Sequence, residues 1–174
     1  MGLTVLLLVQ AAIIGVWERV DRARGRPGLV VSVERRSDPG RDVEIEERDG
    51  AKRTVAARSG RFKLLHFWAT WCPPCRTELP ALIEMARRNR ARLDVWAISA
   101  DPDWPAVSRF VGGMVPAMVV RDPGGTASRA YGVSSLPDTY LIDPGGRIVA
   151  RFPKAQDWAA KEMDRILEGL IAGR

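Results

Sequence analysis

The chain has 174 residues, a formal net charge of +6, two cysteines and one histidine, a length that suits one domain with a buried core and some chain to spare. The charge does not point to nucleic acid: from Trp17 to Arg41 seven arginines against four acids carry +3 of the +6, and scattered arginine without an aromatic stacking platform reads as solvated surface. Two cysteines and one histidine also exclude a closed four-ligand zinc site within one subunit unless carboxylates complete it, so no metal site is expected.

The run from Met1 to Val16 is apolar apart from Thr4 and Gln10 and holds no charged side chain. It reads as a membrane segment, shorter than the roughly 20 residues of a full span. No small-residue cleavage site clearly follows it, so an uncleaved anchor is expected over residues 1–17. Arg19, Arg22, Arg24 and Arg26 come next, and by the positive-inside rule they would place the following chain in the cytoplasm. Residues 18–41, with Gly25, Pro27, Gly28, Pro39 and Gly40, read as a polar tether in which Leu29 to Val33 could form one short strand.

A domain over residues 42–174 is expected to open with a hairpin. Val43 and Ile45 alternate with Glu44 and Glu46, and Asp49 with Gly50 turns the chain into Lys52 to Ala56. Phe62 to Trp68 is a buried strand, and a helix runs from about Pro73 to Asn89 with Leu79, Leu82, Ile83 and Ala86 on its core face. Leu93 to Ser99, apolar on both faces, suits a central parallel strand. Asp101 to Val111 reads as a helix with Asp103 as its cap, and Met114 to Val120 as a strand ended by Asp122-Pro-Gly-Gly. Thr139 to Ile142 and Ile148 to Phe152 form a hairpin across a second Asp-Pro-Gly-Gly turn. A last helix presents Trp158, Ala159, Met163, Ile166, Leu167 and Leu170 to the sheet.

Both cysteines stand at the junction of that first strand and helix, in Trp71-Cys72-Pro73-Pro74-Cys75. A strand that delivers C-x-x-C to a helix start is a redox site. The amide donors and dipole of the helix N-terminus stabilise a thiolate, which makes Cys72 the attacking thiol and Cys75 the resolving one. A purely structural disulfide over so short a loop would constrain the unfolded chain little. Two cysteines acting only as small hydrophobes would not need two prolines between them.

The stretch from Trp68 to Cys75, with Pro80 five residues further on, resembles the thioredoxin superfamily active site. Glu78, ahead of Leu79 and Pro80, and the insert that sets Cys75 and Pro137 62 residues apart by subtraction, are similar to its membrane-anchored TlpA/ResA/CcmG branch. The resemblance covers roughly Asp42 to Gly169. It implies an α/β thioredoxin-like fold with an N-terminal hairpin, a central insert and an N-terminal anchor. Pro137 would be cis and face the cysteine pair, leaving the preceding backbone free to pair with a client peptide. Asp138 stands where a hydroxyl residue is often found, which bears on partner choice.

The activity implied is thiol-disulfide exchange without a cofactor, reducing protein disulfides in cytochrome c or other metalloprotein maturation. Its partners would be a protein client and a membrane electron donor. The family holds its redox domain outside the cytoplasm, against the arginine count, and that outside placement is the expectation taken here. Glu78 is expected to accept the proton of Cys75, with His66, Trp71, Pro73 and Pro74 tuning the pair. His66 stands six residues before Cys72, where plain thioredoxin has a buried aspartate. Two other functions compete: delivery of copper or another soft metal by the same cysteines, with His66 as the only further soft donor, and thiol peroxidase activity, which would rest on a single cysteine behind a threonine and a proline.

Overall fold

The computed structural model describes residues 31–173. The expected anchor and most of the expected tether lie outside them. No helix among the described residues is long and apolar enough to cross a membrane.

Eight strands form one sheet: β1 (Glu34–Arg35), β2 (Val43–Glu46), β3 (Lys52–Val55), β4 (Phe62–Trp68), β5 (Leu93–Ser99), β6 (Val119–Arg121), β7 (Asp138–Ile142) and β8 (Ile148–Pro153). Their order is β1-β8-β7-β4-β5-β6-β2-β3. The helices are α1 (Pro73–Asn89), α2 (Trp104–Phe110), α3 (Thr126–Ala130) and α4 (Lys161–Ile171). β4 lies mid-sheet, parallel to β5 and antiparallel to β7. Its period-2 alternation sends Leu64 and Trp68 into one apolar cluster with Leu79 and Leu82 of α1 and Met163 and Leu167 of α4. Leu65 and Phe67 enter a second cluster on the other face, with Val43, Ile45, Tyr131 and Tyr140. The sheet is therefore covered on both faces, as an α/β reading requires.

α1 follows the sequence expectation to the residue. Pro73 and Pro74 fill its first two positions, where a backbone donor would go unused and the fixed φ suits a helix. Arg87 and Arg88 sit in its last turn, where positive charge favours the carbonyl end. The Val43–Val55 hairpin, β5 and the β7–β8 pair also form as expected.

Four boundaries differ. The strand expected from Met114 shortens to Val119–Arg121, because Gly112 and Gly113 take left-handed φ of 82° and 87° and Pro116 has no amide to give a ladder; Met114 is exposed. α2 begins at Trp104, with Asp103 accepting from the Ala106 amide as the expected cap. α4 begins only at Lys161, so Trp158 and Ala159 precede it. Finally, the described end of the expected tether lies on the domain: Val31 and Val33 pack against the core, and the strand there is Glu34–Arg35, paired with β8. Gly40 is held there by its amide to the Gly146 carbonyl at 2.8 Å, and a Cβ on it would come within 2.9 Å of that oxygen.

Candidate active site

β4 carries the chain out of the sheet, and a tight turn in which the Cys72 amide donates to the Ala69 carbonyl brings Cys72 to the N-cap of α1. Cys72 and Cys75 are joined as a disulfide. The Cys75 amide donates to Cys72 Sγ at 3.3 Å; with prolines at 73 and 74, this is the first amide the loop can offer that sulfur. Cys75 is fully buried, whereas Cys72 retains slight exposure.

Cys72 borders a groove of about 590 Å³, lined by Trp71, Pro73 and Pro74 from its own turn and by Ser135 and Leu136 from the loop before β7. The Leu136–Pro137 bond is cis, and the two residues before the proline line this groove. The structure thus joins Trp71, the Cys-Pro-Pro-Cys turn and the Pro137 loop at one place, although the 62 residues between Cys75 and Pro137 separate them in sequence. Trp71 is 65% exposed, unusual for so large a ring.

The turn is fixed from below by a residue that sequence reasoning did not single out. Asp101 accepts from the Thr70 amide at 2.9 Å, the Thr70 hydroxyl at 2.6 Å and the Ser99 hydroxyl at 2.6 Å. Its own carbonyl accepts from Arg121, which is ion-paired to Glu46 and stacked on Trp104.

Beneath the disulfide lies Glu78, one turn along α1 from Cys75 and completely buried. Its Oε2 accepts from the Gln156 amide at 2.7 Å and from Trp158 Nε1 at 2.9 Å. These two donors favour the carboxylate, but loss of water dominates and raises the Glu78 pKa to about 8. The other oxygen, Oε1, has no hydrogen-bond partner in the structure and lies 3.7 Å from His66 Nε2, which has none either. His66, opposite Thr139 across the β4–β7 ladder, shares Nδ1 with the Thr139 hydroxyl at 2.9 Å. Burial lowers its pKa to about 3. The approach of Glu78 to His66 is therefore no ion pair at neutral pH: desolvation drives both groups to their uncharged forms, and 3.7 Å exceeds a hydrogen bond.

Asp138, next to the cis proline, does not face the groove. It is buried in the sheet, where Arg151 holds both its oxygens at 2.9 Å and Tyr140 donates to it at 2.9 Å. The expected bearing of Asp138 on partner choice is corrected accordingly: it braces β7 against β8. Among the described residues no group of three or more His, Cys, Asp and Glu side chains is arranged to hold a metal.

Gln156 and Trp158, the donors to Glu78, escaped sequence reasoning because they lie 78 and 80 residues away in a non-repeating loop. The sequence places Trp158 on a helix face, and its indole N–H is the one available signal that it needs a buried acceptor.

The AhpC/TSA family model matches residues 37–151, which span every strand of this site. The chain belongs to the AhpC/TSA family. Within that family it is similar to the thiol:disulfide interchange protein HelX of Rhodobacter capsulatus, 33% identical over 115 residues that cover 64% of each chain. It is 32% identical over 107 residues to the thiol-disulfide oxidoreductase ResA of Bacillus thuringiensis, covering 60% of this chain and 62% of that one. The chain thus spans less than two thirds of the length of these curated relatives. A solved structure from Chlorobium tepidum, described as a thiol:disulfide interchange protein DsbE, superposes with a TM-score of 0.68 at 26% identity, over 78% of this chain and 97% of that one. The fold of this AhpC/TSA member is thioredoxin-like, as the cysteine motif and its proline implied.

Proposed function

We propose that the protein is a thiol-disulfide oxidoreductase that reduces protein disulfides. One observation carries this: a disulfide at the start of α1 with Cys72 at a groove and Cys75 sealed above a buried carboxyl of raised pKa. The names of the similar proteins support it.

In the reduced state Cys72, as thiolate, attacks one sulfur of the client disulfide, forming a mixed disulfide and releasing the other client sulfur. Cys75 gives its proton, directly or through one water, to Glu78 in the minority of molecules in which that carboxyl is ionised, a fraction that grows as pH approaches about 8, and attacks Cys72. The second client sulfur leaves, and two electrons have passed to the client, whose thiolates take up protons. The product is the Cys72–Cys75 disulfide of the structure. Regeneration requires a dithiol donor, which we place in the membrane. Leu136, just before the cis Pro137, lines the groove together with Trp71, Pro73 and Pro74. His66 tunes Glu78 by what it withholds: neutral and 3.7 Å from Oε1, it gives the carboxylate neither a hydrogen bond nor a compensating charge.

Cytochrome c or another metalloprotein is the client class this reading favours. The redox domain is placed outside the cytoplasm on the apolar start of the sequence and the need for disulfide exchange there; a reporter fused after Arg174 should be active only outside. The deciding experiment uses the full chain. The reduced protein should pass two electrons to a protein disulfide, and Cys75→Ala should accumulate a mixed disulfide through Cys72. Failure of both removes the proposal.

A further inference from the structure

Among the described residues eight arginines pair with a carboxylate, Arg61 with Asp94, Arg121 with Glu46 and Arg151 with Asp138 among them, and others, such as Arg58 and Arg90, do not. Three of the unpaired ones gather around the Trp71–Cys72 turn. Arg129 lines the groove beside Cys72. On the other side of the turn, a second depression of about 290 Å³ is lined by Thr70, Phe110, Arg76 and Arg109. All three arginines are exposed. Arg129 reaches only the Thr126 hydroxyl and Arg76 lies over the Phe110 ring; among the described residues, none of the three is ion-paired with a carboxylate. No acidic side chain lines either depression. The nearby acids turn inward or cap helices: Asp101 holds Thr70 and Ser99, Asp122 holds Ser128 and Asp103 holds the Ala106 amide.

We propose that the surface around the cysteine pair selects client segments whose disulfide cysteine is flanked by acidic residues, with Arg129 engaging a carboxylate on one side of the cysteine and Arg76 and Arg109 on the other. This rests on the oxidoreductase function proposed above and adds the substrate's charge to it. Trp71, exposed on the wall of the first groove, supplies the apolar contact surface, and the arginines supply charge complementarity. Unpaired rim cations next to a reactive centre steer an anionic partner and raise its rate of encounter, an effect that salt screens. Each exposed charge pair contributes about a 1.5- to 5-fold factor, so three acting together give on the order of tenfold.

The test is the second-order rate at which the reduced full chain reduces three disulfide peptides of one length, with acidic, neutral or basic residues flanking the cysteine. At low salt the acidic peptide should react on the order of tenfold faster than the basic one. That ratio should fall towards one in about 0.5 M salt, where the screening length is only a few ångströms. Arg76→Gln, Arg109→Gln and Arg129→Gln combined should bring the low-salt ratio close to one, and Arg129→Glu alone should lower it further than Arg129→Gln. Equal rates for the acidic and basic peptides, or a ratio that salt and the combined variant leave unchanged, overturn the inference. No reduction even of the neutral peptide would instead count against the oxidoreductase function, so the two failures are distinct.

Discussion

Replacing Glu78 by glutamine asks whether the carboxyl is held neutral by burial. Glutamine keeps the shape, and its carbonyl can accept from the Gln156 amide and Trp158 Nε1 as Oε2 does now. A group whose pKa rises on folding, here from 4.5 to about 8, gives stability that is complete below the lower value and is lost as pH climbs through the higher one. At about 1.4 kcal/mol per pKa unit, the wild type loses roughly 3 kcal/mol by pH 7 and roughly 5 kcal/mol by pH 9. Glu78→Gln has nothing to ionise and escapes that loss. Urea unfolding of the oxidised wild type and variant at pH 4, 7 and 9 should show curves that nearly meet at pH 4 and diverge by those amounts above it. A constant offset at all three pH values, or a variant less stable at pH 7, would refute the argument that desolvation outweighs the two hydrogen bonds.

His66 has the opposite sign. Its pKa falls from 6.5 to about 3 on burial, so the stability it contributes is present above pH 6.5 and lost as pH drops; His66→Asn should flatten the acid side of the unfolding profile, by about 4 kcal/mol at pH 3. Trp158→Phe removes a donor that favours the Glu78 carboxylate, so the Glu78 titration, followed by infrared absorption of the carboxyl, should move to higher pH; no movement would mean that Trp158 only packs. Pro73→His adds an amide near Cys72, where the Cys75 amide is now the donor, and should make the protein more oxidising; an unchanged or lower potential in a glutathione titration would show that donor number does not set it.

What could be read from the sequence follows the range of the forces involved. α1 and β5 have the predicted ends because their signals are local: prolines at a helix start, a run apolar on both faces. The cysteine turn was legible for the same reason. The joining of Pro137 to that turn was available only through resemblance, since no local pattern reports a contact across 62 residues. The neutral Glu78 was half legible: its place one turn from Cys75 follows from spacing, whereas its complete burial depends on the loop of Gln156 and Trp158 folding over it. Asp101 was invisible as a site residue because its partners, Thr70 and Ser99, come from two different strand ends that the parallel β4–β5 register brings level. The three rim arginines were lost in the overall charge, since composition counts cations without showing which lack a counter-ion.

The Asp101 bracket has a bearing on how costly a change of oxidation state is for the backbone. Through one side chain and one carbonyl, the loop ahead of Cys72 is tied to the end of β5, to Arg121 of β6 and, by way of Glu46, to the N-terminal hairpin. The contacts that make up this frame involve neither sulfur. On the exchange proposed above, a change of sulfur partners would leave the frame intact, and Cys72 would meet a client at the same angle before and after electrons pass.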